Sequence, residues 1–473
     1  MPLAAPAGRF AVSTLDLEVP AREARVFGDG FKLNGKPAFR LDTVLITLFY
    51  PCRDSGKGRA TSIKGAGWLN APRMKSVEGL LKYAGMSKHL ALPSILPAYA
   101  VFFAKLPFTE NAPLAGPSSL AETDATPSED TNDARTTFPI GVFSHGLGGT
   151  RTTYSSYLSA LASEGFVVAA VEHRDLTAPS TQVFPPTETF LGAKQQSYTS
   201  IYSKHDEMDK SPTTGEPEGG DVWAMRKAQL ELRQAEMLEA LHVLKRLNVG
   251  EGEQLSQSST RGGAKERTAA ELPMWQGRLG VDQPWALGHS YGAGTCIEAI
   301  RKSDSPFARS LILDPWVEPI PKASADGSLS IKRPLYVINS EAFTIWRSHM
   351  QDVRELVSDA KRNAGSAWLL TLTGSKHTDF SDFPFLLPRL FSSSVPPADA
   401  MKIFAKASCA QFAASQEDQD GSDASRCEEA SLESTTPKPR EELPGEVENK
   451  QLGPPGVLIR HTLSVAKQQT PHL

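Results

Sequence analysis

The chain has 473 residues, 40% of them hydrophobic, enough for one large core with long decorations rather than several small domains. Its formal net charge of −4, with acidic and basic residues intermixed, leaves no electrostatic footprint for nucleic acid. Four cysteines, Cys52, Cys296, Cys409 and Cys427, lack the paired short spacings of a zinc site or a disulfide framework, so the expected setting is reducing and cytoplasmic.

Taken in chain order, residues 1–10 show no charged start followed by an apolar run, and no Gly follows Met1, so neither a secretory signal nor myristoylation is expected. Residues 43–50 are the first apolar, β-branched run that suits a buried strand. The most apolar stretch, 90–108, is interrupted by Pro93, Pro97, Lys105 and Pro107. A spanning helix needs roughly 20 consecutive apolar residues, so this stretch suits a membrane surface better than a membrane span. Residues 116–137 are rich in Ser, Thr, Asp and Pro and cannot bury enough apolar surface to offset chain entropy; disorder is expected there. Strands follow at 140–144 and 166–171, with a helix at 154–163 between them. A polar stretch at 206–220 precedes a helix at 223–247, and a polar insert at 250–271 follows it. Strands at 285–287, 310–313, 335–338 and 368–372 are interleaved with helices at 293–302 and 345–362. One domain over 1–413 is expected, with a mostly disordered acidic Ser-, Glu- and Pro-rich tail at 414–473. Such alternation predicts a mostly parallel central sheet with helices on both faces, binding its ligand beyond the carboxyl ends of the strands.

Ser290 stands in Gly288-His289-Ser290-Tyr291-Gly292, after the apolar run Trp285-Ala286-Leu287 and before a helical pattern. The two glycines leave room for a sharp strand-to-helix turn that lifts a serine hydroxyl above an α/β-hydrolase sheet, where the helix N-terminus favours developing negative charge. A plain structural turn is the alternative for so short a motif. A serine needs an imidazole base oriented by a carboxylate, and in this fold acid and then histidine follow the serine along the chain. Asp314 ends the run Leu311-Ile312-Leu313, and His377 follows the run 368–372 through a short loop. Asp314 has a competing role as a turn aspartate before Pro315, and Glu318 and Glu341 compete with it as the acid. His349, inside a helical pattern, is expected at the surface, and Asp379 and Asp382 suit supporting roles. The oxyanion needs two donors: the Tyr291 amide, and an amide from the glycine-rich loop Phe143-Ser144-His145-Gly146-Leu147-Gly148-Gly149, for which Leu147 is the choice. A phosphate cradle is disfavoured, because Gly-x-Gly-x-x-Gly spacing and a P-loop Lys are missing. His145 is expected to shape the loop. Glu172-His173-Arg174-Asp175 either lines the substrate cleft or braces that loop, or is a charged loop with internal salt bridges.

With these residues in place, the chain resembles the platelet-activating-factor acetylhydrolases, the lipoprotein-associated and intracellular type II phospholipases. The likeness lies in six ordered blocks between 138 and 385: the glycine-rich loop, Val171 to Asp175, Gly288 to Ala293, Leu313 to Trp316, Ile338 to Glu341, and Gly374 to His377 with its following Asp-Phe pairs. The resemblance implies an α/β-hydrolase fold and a calcium-independent serine esterase without cofactor or metal. Its substrate would be a glycerophospholipid bearing an sn-2 acetyl, short or oxidised acyl group. By position, Ser290, Asp314 and His377 match the family's nucleophile, acid and base, and Leu147 and Tyr291 its oxyanion donors. Tyr291 stands where Phe is common, and Pro315 where a small residue is usual. The stretch containing Leu92, Ile95, Leu96, Tyr99, Phe102 and Phe103 matches the region that docks the family on lipid surfaces; a lid or core segment is the alternative. Two other functions stay open: a carboxylesterase or polyester-type hydrolase of soluble esters, and a non-catalytic adaptor.

Overall fold

Strand residues point alternately to opposite faces, so an apolar run can feed two cores at once. The computed structural model describes residues 3, 5–53, 66–87, 89, 99–116, 137–185, 197–261, 270–322, 329–417, 428–429 and 452–463. Its strands are β1 (Ala11–Leu33), β2 (Lys36–Cys52), β3 (Thr109–Glu110), β4 (Phe138–Ser144), β5 (Val167–Val171), β6 (Ser180–Val183), β7 (Tyr198–Ile201), β8 (Leu279–His289), β9 (Arg309–Leu313), β10 (Leu335–Ser340), β11 (Ala367–Leu372), β12 (Glu428–Glu429) and β13 (Leu458–Arg460). The helices are α1 (Arg73–Tyr83), α2 (Tyr99–Phe103), α3 (Ser155–Ser163), α4 (Val222–Asn248), α5 (Gly252–Ser258), α6 (Tyr291–Arg301), α7 (Glu341–Thr344), α8 (Arg347–Ala364), α9 (Phe383–Leu386) and α10 (Pro397–Glu417).

Eleven strands form one sheet in the order β12-β13-β11-β10-β9-β8-β4-β5-β2-β1-β3, and β6 and β7 make a separate hairpin. From β5 through β4, β8, β9 and β10 to β11 every pairing is parallel. β2 joins β5 antiparallel; on the far side β13 lies antiparallel to β11, with β12 outside it. This is the α/β-hydrolase arrangement. Alternation sorts the side chains: Val167, Ala169, Leu335, Val337 and Leu369 join α4, α6 and α8 in one core. Val168, Ala170, Tyr336, Ile338 and Leu370 join α3 and α10 in the other. A smaller cluster, including Phe31, Phe39, Met225 and Leu232, seats the far end of the β1–β2 ribbon on α4.

Three departures from the sequence-based expectations matter for the site. The 250–271 insert contains α5, which buries Leu255, and Ser259 Oγ accepts the Glu18 amide at 3.2 Å. The helix expected over 345–362 is α8 (Arg347–Ala364), but a short helix that was not expected, α7 (Glu341–Thr344), precedes it across Ile345 and Trp346. Most consequential, the 414–473 tail is not wholly outside the fold: α10 runs to Glu417, and residues 458–460 form a strand between β11 and β12. The apolar run Val457-Leu458-Ile459 supplies that strand inside an otherwise polar tail. Among the described residues, no helix is long and apolar enough to cross a membrane.

Candidate active site

Ser290 lies where β8 gives way to α6, with φ 56° and ψ −120°. L-residues avoid this backbone region, and the surroundings must hold it there. The Ser290 amide donates to Leu313 O at 2.9 Å, and Ser290 O accepts the Trp316 amide at 3.0 Å. Both flanking glycines are required sterically. A Cβ on Gly292 would stand 2.0 Å from Ser144 O, and one on Gly288 would stand 2.6 Å from Gly292 O. The five-residue motif thus records how tightly β4, β8 and α6 converge beneath the serine.

Asp314 follows β9 with φ 40° and is fully buried. Its Oδ1 accepts the Ser340 amide at 2.6 Å, and its Oδ2 accepts the Ser340 hydroxyl at 2.5 Å and His377 Nδ1–H at 2.9 Å. With Nδ1–H committed to Asp314, His377 Nε2 keeps its lone pair for a proton. The rival acids are engaged elsewhere: Glu318 Oε2 accepts Trp316 Nε1–H at 3.0 Å, and Glu341 Oε2 accepts the Gly374 amide at 2.8 Å. Phe343 stacks on the His377 ring at 4.2 Å and 3°. His289 also lies against that ring, at 4.4 Å. His349, expected at the surface, is 2% exposed instead. It is buried because α8 turns it toward Trp346, on which it stacks, and Phe343, while its Nε2 accepts the Val317 amide at 3.3 Å.

The glycine-rich loop comes up beside the serine: a Cβ on Gly146 would fall 2.9 Å from Ser290 Cβ. Tyr154 ties loop to elbow. Its hydroxyl accepts the Gly146 amide at 3.1 Å and donates to His289 Nδ1 at 2.9 Å. Burial, and then the nearby His377, push His289 well below the usual imidazole range, so it stays neutral. Among the described residues, no acceptor takes the Leu147 or the Tyr291 amide, and Tyr291 is the first residue of α6, where the helix dipole favours an anion.

Beneath the loop lies a dense set of buried charges. Glu172, His173, Arg174 and Asp175, at the carboxyl end of β5, are all at most 4% exposed and carry the ion pairs expected of a charged loop, buried beneath the glycine-rich loop. Arg233 of α4, itself fully buried, donates to Asp175 Oδ2 at 2.6 Å, Thr177 Oγ1 at 2.6 Å and the carbonyl of His145 at 2.7 Å. The same guanidinium lies 4.6 Å from the Tyr291 ring centroid. His145 Nδ1–H donates to Gly146 O at 2.8 Å and its Nε2 accepts the His173 amide at 3.1 Å. Burial and the adjacent Arg233 lower His145 to about 3, so a neutral ring shapes the loop. His173 bridges Ser144 Oγ and Glu236 Oε2, at 2.7 Å each. On the other side of the loop, Asp382 accepts the amides of Ser155 and Ser156, both at 3.0 Å, and so caps α3 from a distance, while also taking Trp68 Nε1–H at 2.8 Å. Asp379 Oδ2 accepts the Lys376 amide at 2.8 Å, next to the base.

Arg233, Glu236, Tyr154, Ser340 and Phe343 were not singled out from the sequence. Only Arg233 and Glu236 left a trace there, as charges within an otherwise well-formed helical pattern. Of the lipid-surface set, Leu92, Ile95 and Leu96 lie outside the described residues. Tyr99 is 60% and Phe103 46% exposed, while Phe102 is half-buried. His289, Asp314 and His377 bring donor atoms within 4.8 Å of one another, the spacing of a metal-ligand set. Asp314 already accepts three hydrogen bonds and His289 Nδ1 already accepts one, so hydrogen bonding accounts for the grouping.

Residues 34–431 match the protein-family model described as platelet-activating factor acetylhydrolase, isoform II. The chain is 30% identical over 249 residues to a platelet-activating factor acetylhydrolase of Gallus gallus, covering 53% of this chain and 54% of the relative. It is 29% identical over 309 residues to that of Canis lupus familiaris, covering 64% and 58%. The matches thus span a little over half the length of these curated relatives. A solved ferulic acid esterase from Streptomyces cinnamoneus superposes with a TM-score of 0.48 at 18% identity, covering 87% of this chain and 92% of that one.

Proposed function

The chain belongs to the platelet-activating factor acetylhydrolase isoform II family, and on that premise we propose that it is a serine esterase hydrolysing the sn-2 acetyl, short or oxidised acyl ester of glycerophospholipids. The observation that carries this reading is the 2.9 Å hydrogen bond from His377 Nδ1 to buried Asp314 in a chain whose Ser290 occupies a strained strand-to-helix elbow. In the proposed cycle His377 Nε2 takes the Ser290 proton as the hydroxyl oxygen attacks the ester carbonyl. The Leu147 and Tyr291 amides receive the oxyanion. Collapse breaks the ester C–O bond, the lysophospholipid alkoxide leaves with the proton from His377, and an acyl-serine remains. Water, deprotonated by the same nitrogen, then releases the carboxylic acid and returns Ser290 to its hydroxyl form.

Every proton in this cycle moves between named side chains, water and substrate, so calcium chelators should leave turnover unchanged. Exposed Tyr99 and Phe103 favour contact with a lipid surface over a freely soluble ester as substrate. The deciding experiment compares wild type with Ser290→Ala on phospholipids of graded sn-2 chain length, with and without vesicles. Wild type should prefer short acyl chains and label with a fluorophosphonate, while the variant should do neither yet melt as a folded protein. Undiminished hydrolysis by the alanine variant would sink the proposal.

A further inference from the structure

The base stands on a loop that the distant C-terminal segment holds in place. Residues 452–463 lie beyond the stretch matched by the family model, 34–431. They run antiparallel to β11, pairing Leu370 with Arg460, Thr371 with Ile459 and Leu372 with Leu458. The contact continues past the strand into the loop that leads to His377. The Thr373 amide donates to Val457 O at 3.0 Å, and the Gly456 amide returns a bond to Thr373 O at 3.0 Å. Thr373 Oγ1 donates to Pro454 O at 2.5 Å and accepts the Val457 amide at 2.9 Å. Gly374, at φ 74°, packs so closely on Pro455 that a Cβ there would stand 2.8 Å from the proline Cβ.

A second line runs from the same segment to the ring stacked on the base. His461, 4% exposed, shares a 2.7 Å hydrogen bond with Thr371 Oγ1, and Thr371 Oγ1 shares one of 2.6 Å with Thr344 Oγ1. Thr344 closes α7, the short helix that presents Phe343 to His377. The segment therefore touches both supports of the imidazole: the loop that carries it and the helix that backs it.

We infer that residues 452–463 are a positioning strap for the base, with Thr373 and His461 as its anchor points, and that full turnover requires the strap to be docked. This inference rests on the esterase reading of Ser290, Asp314 and His377. An undocked strap leaves β11 with an open edge and frees the 373–377 loop to move, and a displacement of about 1 Å at a catalytic group can cost on the order of a hundredfold in rate. The strap's contacts run to the supports of the base and not to Ser290 or the Leu147 and Tyr291 amides, so the loss should fall on kcat rather than KM.

The test uses the full chain carrying Ile459→Pro, which removes a ladder N–H opposite Thr371 and expels the strand. The expected result is a drop in kcat of about tenfold or more with KM changed by less than about twofold, and faster amide exchange at residues 373–377. A synthetic peptide of residues 452–463, added in excess, should restore kcat. Unchanged kcat in a variant whose exchange shows the strand released overturns the inference, as does a kcat that the bound peptide leaves low. If Ile459→Pro does not fold, Thr373→Val in the full chain decides: a several-fold lower kcat at unchanged KM supports the strap, and wild-type kcat removes it. A wild-type chain that hydrolyses no ester and takes no fluorophosphonate at Ser290 would instead remove the esterase reading, and this inference with it.

Discussion

The two halves of the candidate site are supported in opposite ways. The half with the proposed nucleophile and oxyanion amides sits on β4 and β8, in the middle of the sheet, and is clamped from below by Arg233, Asp175 and the neutral imidazoles of His145 and His173. The base half sits on β11, near the end of the sheet, and leans on a three-residue strand from the tail. The first half is tied by buried charges that must keep their partners or remain unsatisfied. The second is held by a short strand near the end of the sheet and by a few hydroxyl and imidazole hydrogen bonds, an arrangement expected to open at lower free energy than the centre. On the proposed mechanism, the charge-stabilising half is thus fixed and the proton-transfer half adjustable.

The largest expected effect tests whether the halves communicate only through the base. Asp314→Asn leaves the geometry but favours the wrong His377 tautomer, and turnover should fall by on the order of 10⁴-fold with little change in KM. A loss of less than tenfold would mean that another group orients the imidazole. Next, Arg233→Met strips a fully buried cation from Asp175 and the His145 carbonyl, and should lower the unfolding free energy by about 3–5 kcal/mol, read from a urea titration. Wild-type stability in that variant would contradict the rigid half of the contrast. Smaller still, Phe343→Leu keeps the fold and removes the stacked ring; kcat should fall by roughly three- to tenfold while Ser290 labelling slows in parallel. Labelling at the wild-type rate would dissociate Phe343 from the base.

The last expected effect concerns acid and is read on stability alone. His461 is neutral in the fold, its pKa lowered from 6.5 to about 4 by burial and by Arg354 of α8. The unfolded chain binds this proton below about pH 6.5 and the folded chain does not until about pH 4, so its contribution is intact above 6.5 and lost as pH falls through that window. At pH 5 the loss amounts to about 2 kcal/mol, and His461→Gln should flatten that part of the stability curve. An unaltered acid limb in His461→Gln would show that β13 does not sense pH.

The central half was legible because its signals are local. The Gly288-to-Gly292 pentapeptide, the glycine-rich loop and two aliphatic runs ending in Asp314 and shortly before His377 each fit within a few residues of sequence. What escaped depends on pairs far apart in the chain. Glu172 to Asp175 has the composition of a solvent-facing charge run, and only Arg151, Arg174 and Arg233 packing against Glu172, Glu18 and Asp175 makes it interior. β1 carries polar residues such as Arg22, Glu23 and Arg25 along much of its length, which masks its strand character. The strand at 458–460 is three residues long, too short for periodicity to register. His349 sits in a helix whose pattern does not reveal that a neighbouring short helix covers it.

The positive φ at Ser290 has a consequence for protein engineering. Serine at φ 56°, ψ −120° stores roughly 1–3 kcal/mol of backbone strain that glycine would not. A library screened for heat resistance alone should therefore enrich Gly at position 290, giving proteins that are hardier and, on the proposed mechanism, inert. Any campaign to toughen this molecule has to select for turnover at every round.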